Sequence, residues 1–392
     1  MLEPFSYLEN TRVSSKSSTH PAKRIHCHQC DTLSQLPPVG HRQKAVCPVC
    51  GHRLVHFHRF AIQHLVAFSI AAVVLLCASL PLPFMAFKFA GSGLSFSLLS
   101  GFSSLAHEHF WLLAMLLLLF IILLPLSVLL CLLYLLLWPF QHRHQPAPLG
   151  ARILKLIDKL LPWSMAEIFL ISVLVSLVKL TSLVDIELGM GFYAYTGFTV
   201  FFCLMLIRLD LPQLWLYLLR QPLPEAAPID ARRSIQTTWA LLIASALLYL
   251  PANFLPIMRT RFIGAEQPST ILQGVESLWH AGSYPIAIII FIASVLVPVA
   301  KLLLLSWLTW TVQKNTALMQ RQRALCYRFT EFIGRWSMVD VFVIAILASL
   351  LQMGNIISVL PGPAAIAFCA VVILTMLAAE TFDSRLIWNK QK

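Results

Sequence analysis

The sequence predicts an all-α integral membrane protein with eight transmembrane helices, arranged as two parallel four-helix repeats and preceded by a small N-terminal ribbon. Three observations carry this expectation. Of 392 residues, 58% are hydrophobic and only 12% charged, about half the charged share of a soluble domain. Apolar runs fall near residues 65–86, 110–137, 163–184, 191–216, 236–257, 284–311, 337–357 and 363–382. Each reaches or approaches the roughly 20 residues that carry a helix across a bilayer, and none alternates as barrel strands do. The third observation is an internal repeat at a spacing of 173 residues. Pro83-Phe84-Met85 returns as Pro256-Ile257-Met258, and Gly101 and His107 return as Gly274 and His280. Trp163-Ser164-Met165-Ala166-Glu167-Ile168-Phe169 returns as Trp336-Ser337-Met338-Val339-Asp340-Val341-Phe342.

Four spans per copy bring both copies in from the same side, so the repeats are expected to be parallel. Basic residues set the orientation, because Lys and Arg are retained on the cytoplasmic side of short loops. The stretch before the first span, the even-numbered loops and the C-terminus hold nearly all of them, whereas the opposite loops carry only Lys88, Arg259 and Arg261. Both termini are therefore expected in the cytoplasm. The net charge of +12 follows from this asymmetry and from attraction to anionic headgroups, and implies no nucleic-acid partner.

In chain order, residues 1–22 read as a flexible tail and 23–58 as a polar cytoplasmic module. The first repeat covers 59–220, a proline-rich linker 221–231 and the second repeat 232–392. Loops over 87–109 and 259–283 are glycine-rich, and the sequence leaves open whether they hold short strands or partner-binding turns. Pro125 and Pro298 sit inside matched spans, where a missing amide bends a helix.

Within the polar module, Cys27-x-x-Cys30 and Cys47-x-x-Cys50 have the spacing of a four-thiolate metal site. Each pair wraps one side of a tetrahedral ion, with Pro48 and Gly51 suited to the turn. A structural zinc ribbon is the expectation, with rubredoxin-like iron as the alternative; two disulfides do not suit a reducing compartment. Such a site leaves no open position for substrate.

An ionisable residue at bilayer depth costs about 2.5 to 3.5 kcal/mol, so each needs a partner or a watery cavity. Lys301 and Asp340 lie at depths that permit a pair and form the expected coupling site. Glu167 is the first-half copy of Asp340, while the counterpart of Lys301 is Val128. Thr375 lies mid-span, and Lys179 sits near the outer end of its span, where it can snorkel. His107 and His280 stand before spans rather than within them, so no haem site is expected and no enzymatic activity is assigned.

The cysteine pairs, the repeated four-helix unit, the Trp-Ser-Met-x-acidic-x-Phe run in both copies and the ending Phe382-Asp383-Ser384-Arg385-Leu386-Ile387-Trp388 together resemble the paraquat-inducible protein A family from residue 23 onward. That resemblance implies a protein of the Gram-negative inner membrane. It also implies a periplasmic partner of the mammalian-cell-entry type, a tunnel for lipids, with the membrane unit handling phospholipid. The energy implied is the proton gradient rather than nucleotide, and no phosphate-binding Gly-x-x-x-x-Gly-Lys loop occurs. One departure stands out: family members commonly carry a second cysteine ribbon between the halves, and residues 217–235 contain no cysteine.

Overall fold

A computed structural model describes residues 24–35, 44–56, 61–89, 92–107, 111–141, 149–180, 185–217, 219, 228–262, 265–280, 282, 284–314, 320–350, 352–353 and 357–388. The expected tail and most of the linker lie outside these residues. The chain opens with two small hairpins, β1 (Arg24–His26) with β2 (Leu33–Gln35) and β3 (Lys44–Val46) with β4 (Arg53–His56). Each hairpin closes on a cysteine knuckle. Asp31 N–H donates to the Cys27 carbonyl at 2.8 Å and Gly51 N–H to the Cys47 carbonyl at 2.9 Å. These turns need positive φ, which Asp31 (55°) and Gly51 (69°) adopt, as aspartate and glycine do most readily.

The first half then runs α1 (Ala61–Ser79), β5 (Pro83–Phe89), β6 (Ser92–Ser97), α2 (Leu98–His107), α3 (Trp111–Leu118), α4 (Leu124–Gln141), α5 (Gly150–Leu160), α6 (Ala166–Leu180), β7 (Asp185–Leu188), α7 (Met190–Arg208) and α8 (Leu211–Tyr217). The second half runs α9 (Ala231–Phe254), β8 (Met258–Phe262), β9 (Ala265–Ser269), α10 (Ile271–His280), α11 (Tyr284–Phe291), α12 (Val297–Gln313), α13 (Gln320–Trp336), α14 (Val339–Leu350), β10 (Gln352–Met353), β11 (Ile357–Pro361) and α15 (Pro363–Thr381). Eight helical segments among the described residues are long and apolar enough to cross a membrane, the number expected.

Several boundaries differ from the sequence reading, three of them for a clear local reason. The first span ends at Ser79, because Pro81 and Pro83 cannot continue a helix and the apolar run beyond them pairs as β5. The seventh ends at Leu350, where β10 takes over. The third begins early, at Gly150, as amphipathic α5, broken over residues 161–165.

The loops left open by sequence form antiparallel sheets, ordered β6-β5-β7 in the first half and β10-β11-β8-β9 in the second. Met85 pairs with Leu188 and Met258 with Pro361. Gly189 and Gly362, at matched places, let the sheet pass onto the next helix. A Cβ there would lie 2.1 Å from the Pro83 carbonyl oxygen and 2.0 Å from that of Pro256. Only glycine fits such an approach.

The expected proline bends take a specific form. Residues Leu119–Leu123 and Ile292–Leu296 are π-helical, with Leu124 N–H reaching back to the Leu119 carbonyl and Val297 N–H to that of Ile292. Pro125 and Pro298 each follow one residue after the π-helical turn. The proline ring would clash with the carbonyl four residues back, and a wider turn relieves this. Carbonyls of the wide turns find donors elsewhere: Phe120 accepts from Met165 N–H at 3.5 Å, and Val295 from the Tyr249 hydroxyl at 3.4 Å.

Helix α6 packs on α14 between the halves. Phe169 and its copy Phe342 meet edge to face at 6.1 Å, and Ser172 Oγ donates to the Val339 carbonyl at 3.2 Å. Pairs α1 with α7 and α9 with α15 flank this seam.

Candidate functional site

The two knuckles bring the four cysteines together. All four Sγ atoms lie within 4.8 Å of one another, with Cys27 to Cys50 and Cys30 to Cys47 each at 3.5 Å, and none is disulfide-bonded. Four sulfurs around a tetrahedral ion with bonds of about 2.3 Å stand about 3.8 Å apart, so the donor set fits a metal. Burial works against a Cys47 thiolate, but the amides of Cys50 and Val49, together with the Cys30 and Cys50 thiols, outweigh it and bring that thiol down to about 7. Burial pushes Cys27 up. A bound cation offsets that cost by favouring thiolate.

The ribbon is docked on the helical body. Arg328 of α13 donates from Nε to Gln29 Oε1 at 2.7 Å and from Nη2 to the Cys50 carbonyl at 3.2 Å. Trp388 packs against the ribbon core. His52, beside them, is held below its ordinary range by burial and then by the Arg328 charge.

Within the bundle, Lys301 is 1% exposed, and its Nζ donates to Thr375 Oγ1 at 2.9 Å, while Thr375 donates in turn to the Val372 carbonyl at 2.9 Å. Gly334 of α13 faces the amine; a Cβ there would stand 3.6 Å from Nζ. For Lys301, expected to pair with Asp340 as a coupling site, the hydrogen bond seen is the one to Thr375. Repeat arithmetic explains why the site exists in one half only. Lys301, Gly334 and Thr375 correspond to Val128, Leu161 and Phe202, so three apolar side chains are replaced by a cation, a gap and a hydroxyl.

Asp340, 8% exposed, lies elsewhere. It lines a cavity of about 80 Å³ beneath β8 and β9, with Ser294 of the π-helical turn, Thr270, Gly274 and Phe368. A smaller cavity of about 50 Å³ sits under β5 and β6, lined by Met85, Gly101, Leu117 and Val173. Each borrows wall from the other half: Ile346 and Ser349 of α14 line the smaller cavity, and Val175 of α6 lines the larger. Glu167, the first-half acid, pairs across the halves with Arg335 at 3.8 Å. The side chain of Lys179 lies outside the described residues.

Sequence reasoning missed Arg328, Gly334, Arg335 and Ser294. Gly334 and Arg335 stood directly before the repeated Trp-Ser-Met run, and a position-by-position comparison of the halves would have exposed the Leu161 to Gly334 exchange.

Fold and sites together define a multi-pass helical membrane protein with a four-cysteine metal-type ribbon at one end and sheet-covered cavities at the other. The family model for paraquat-inducible protein A matches residues 62–218 and again 235–392, two stretches that begin 173 residues apart, and the chain belongs to that family. It is 38% identical to intermembrane transport protein PqiA of Escherichia coli (strain K12), over 95% of this chain and 97% of that protein. It is 29% identical to lipophilic envelope-spanning tunnel protein A of the same strain, over 93% and 90%. A probable intermembrane transport protein of Haemophilus influenzae is 26% identical over 96% and 98%. No solved structure matches the chain.

Proposed function

We propose that this chain is the inner-membrane subunit of a lipid transport system, passing phospholipid between the inner membrane and a periplasmic tunnel of the mammalian-cell-entry type. The observation that carries the proposal is the Asp340 cavity, an apolar space under the β8 and β9 sheet whose lining holds a carboxylate. Family membership and the relatives' names support the same reading. The two halves act as parallel four-helix repeats, with both termini and the ribbon in the cytoplasm and the sheets facing the periplasm, as the basic residues favour. The cysteine cluster holds zinc, which ties two hairpins too small to fold alone.

In this reading an acyl chain enters the cavity from the membrane. Protonation of Asp340 removes a charge from its lining and shifts the balance between open and closed forms. Lys301 stands as a second protonatable group, held by Thr375 between α12, α13 and α15. Lipid transfer by reconstituted complexes, compared for the native chain, Asp340→Asn and Lys301→Ala, tests the idea. Loss of transfer in Asp340→Asn is expected. Unchanged transfer in both variants would leave the chain as a passive anchor for the tunnel.

A further inference from the structure

Hairpins β1/β2 and β3/β4 form separate two-stranded sheets, and among the described strands no ladder joins them. What brings them side by side is the sulfur cluster and the body they dock on. Arg328 is placed at that join. Its Nε takes Gln29, inside the Cys27-x-x-Cys30 knuckle, and its Nη2 takes the carbonyl of Cys50, at the end of the other. One guanidinium therefore grips both knuckles, and it can do so only while they stand together. Glu331, one turn along the same helix, is a partner within reach when the knuckles part, since residues three apart on a helix are neighbours.

The helix that carries Arg328 continues toward the bundle interior. Gly334, about 9 Å further along α13, provides the face against Lys301 Nζ. Arg335 reaches Glu167 of the first half, and Tyr327 O–H donates to the Ala379 carbonyl on α15 at 3.1 Å.

We propose that Arg328 is a metal-reading clamp: with metal in the cysteine cluster it locks α13 to the ribbon, and with metal gone it releases the helix that walls Lys301 and meets Glu167. The cytoplasmic site thereby regulates the membrane site without contacting it. This inference rests on the metal reading of the cysteines proposed above.

The test uses the full chain in nanodiscs, with metal content and amide hydrogen exchange read on the same samples before and after chelation. In the native chain, one metal per chain is expected, and stripping it should speed exchange over residues 324–334 at least about tenfold, the effect on local opening of losing even one hydrogen bond made by a charged group. Arg328→Ala should retain its metal and show the fast exchange already, with no further change on stripping. Gln29→Ala leaves α13 itself untouched and should lie between the two, which guards against misfolding of the arginine variant. One metal per chain with unaltered α13 exchange on stripping would overturn the clamp alone. So would an Arg328→Ala chain that still responds to chelation. A native chain that binds no metal would overturn the metal reading and the clamp together.

Discussion

Replacing Thr375 with valine keeps the shape of the side chain and removes the oxygen that receives Lys301 Nζ at 2.9 Å. Its cost depends on what the amine carries. A hydrogen bond to a charged group contributes about 1.5 to 3 kcal/mol, whereas neutral side-chain pairs inside membrane proteins average about 0.6 kcal/mol. The two figures are far enough apart to be told apart in a double-mutant cycle with Lys301→Met, which keeps most of the stem and removes the donor. Thr375 also donates to the Val372 carbonyl, but that loss occurs in both backgrounds and cancels. Unfolding free energies measured by steric trapping in bicelles should give a coupling of about 1.5 to 3 kcal/mol at acidic pH, where the amine is protonated. The coupling should fall toward about 0.6 kcal/mol when alkali removes the proton. Additivity within about 0.3 to 0.5 kcal/mol at both pH values would refute the assignment of Thr375 as the partner of Lys301.

Gly334→Ala places its Cβ at ordinary contact, 3.6 Å from Nζ, and should be tolerated, while Gly334→Leu overfills the site and should cost about 1 to 3 kcal/mol in the same unfolding assay. At Gly189 and Gly362, alanine would meet backbone oxygen at 2.1 and 2.0 Å, so each single change should exceed about 4 kcal/mol and abolish recovery of folded protein. Gly274→Ala, with nothing within 4 Å, should purify normally in the same experiment. The Glu167 and Arg335 side chains are 24% and 40% exposed, so Glu167→Gln should cost no more than about 1 kcal/mol by thermal or denaturant unfolding. Cys47→Ser should lower bound metal, read by elemental analysis, and loosen the ribbon to proteolysis while leaving the helical signal of the bundle intact.

The architecture was legible where it depends on periodicity and spacing. Eight apolar runs and two Cys-x-x-Cys pairs needed no tertiary information, and Pro125 with Pro298 marked the right turns of the right helices. Sequence missed what depends on azimuth around a helix. Depth along the chain placed Lys301 near Asp340 in height, but the direction in which α12 faces α15 selects Thr375. The strands stayed undecided because β5 begins inside an apolar run that reads equally well as the end of a helix. Position-matching of the halves carries more than either half alone: Val128, Leu161 and Phe202 against Lys301, Gly334 and Thr375 locate the polar trio without coordinates.

The shared wall between the two cavities has a mechanical consequence. Ile346 and Ser349 face one chamber while Val343 and Leu347, on the same helix, face the other. A substitution on α14 that adds bulk toward Gly101 would therefore narrow the smaller chamber, and one that adds bulk toward Phe368 would narrow the larger. The two compartments thus have one helix as their common partition, so neither can be reshaped through α14 without altering the boundary of the other.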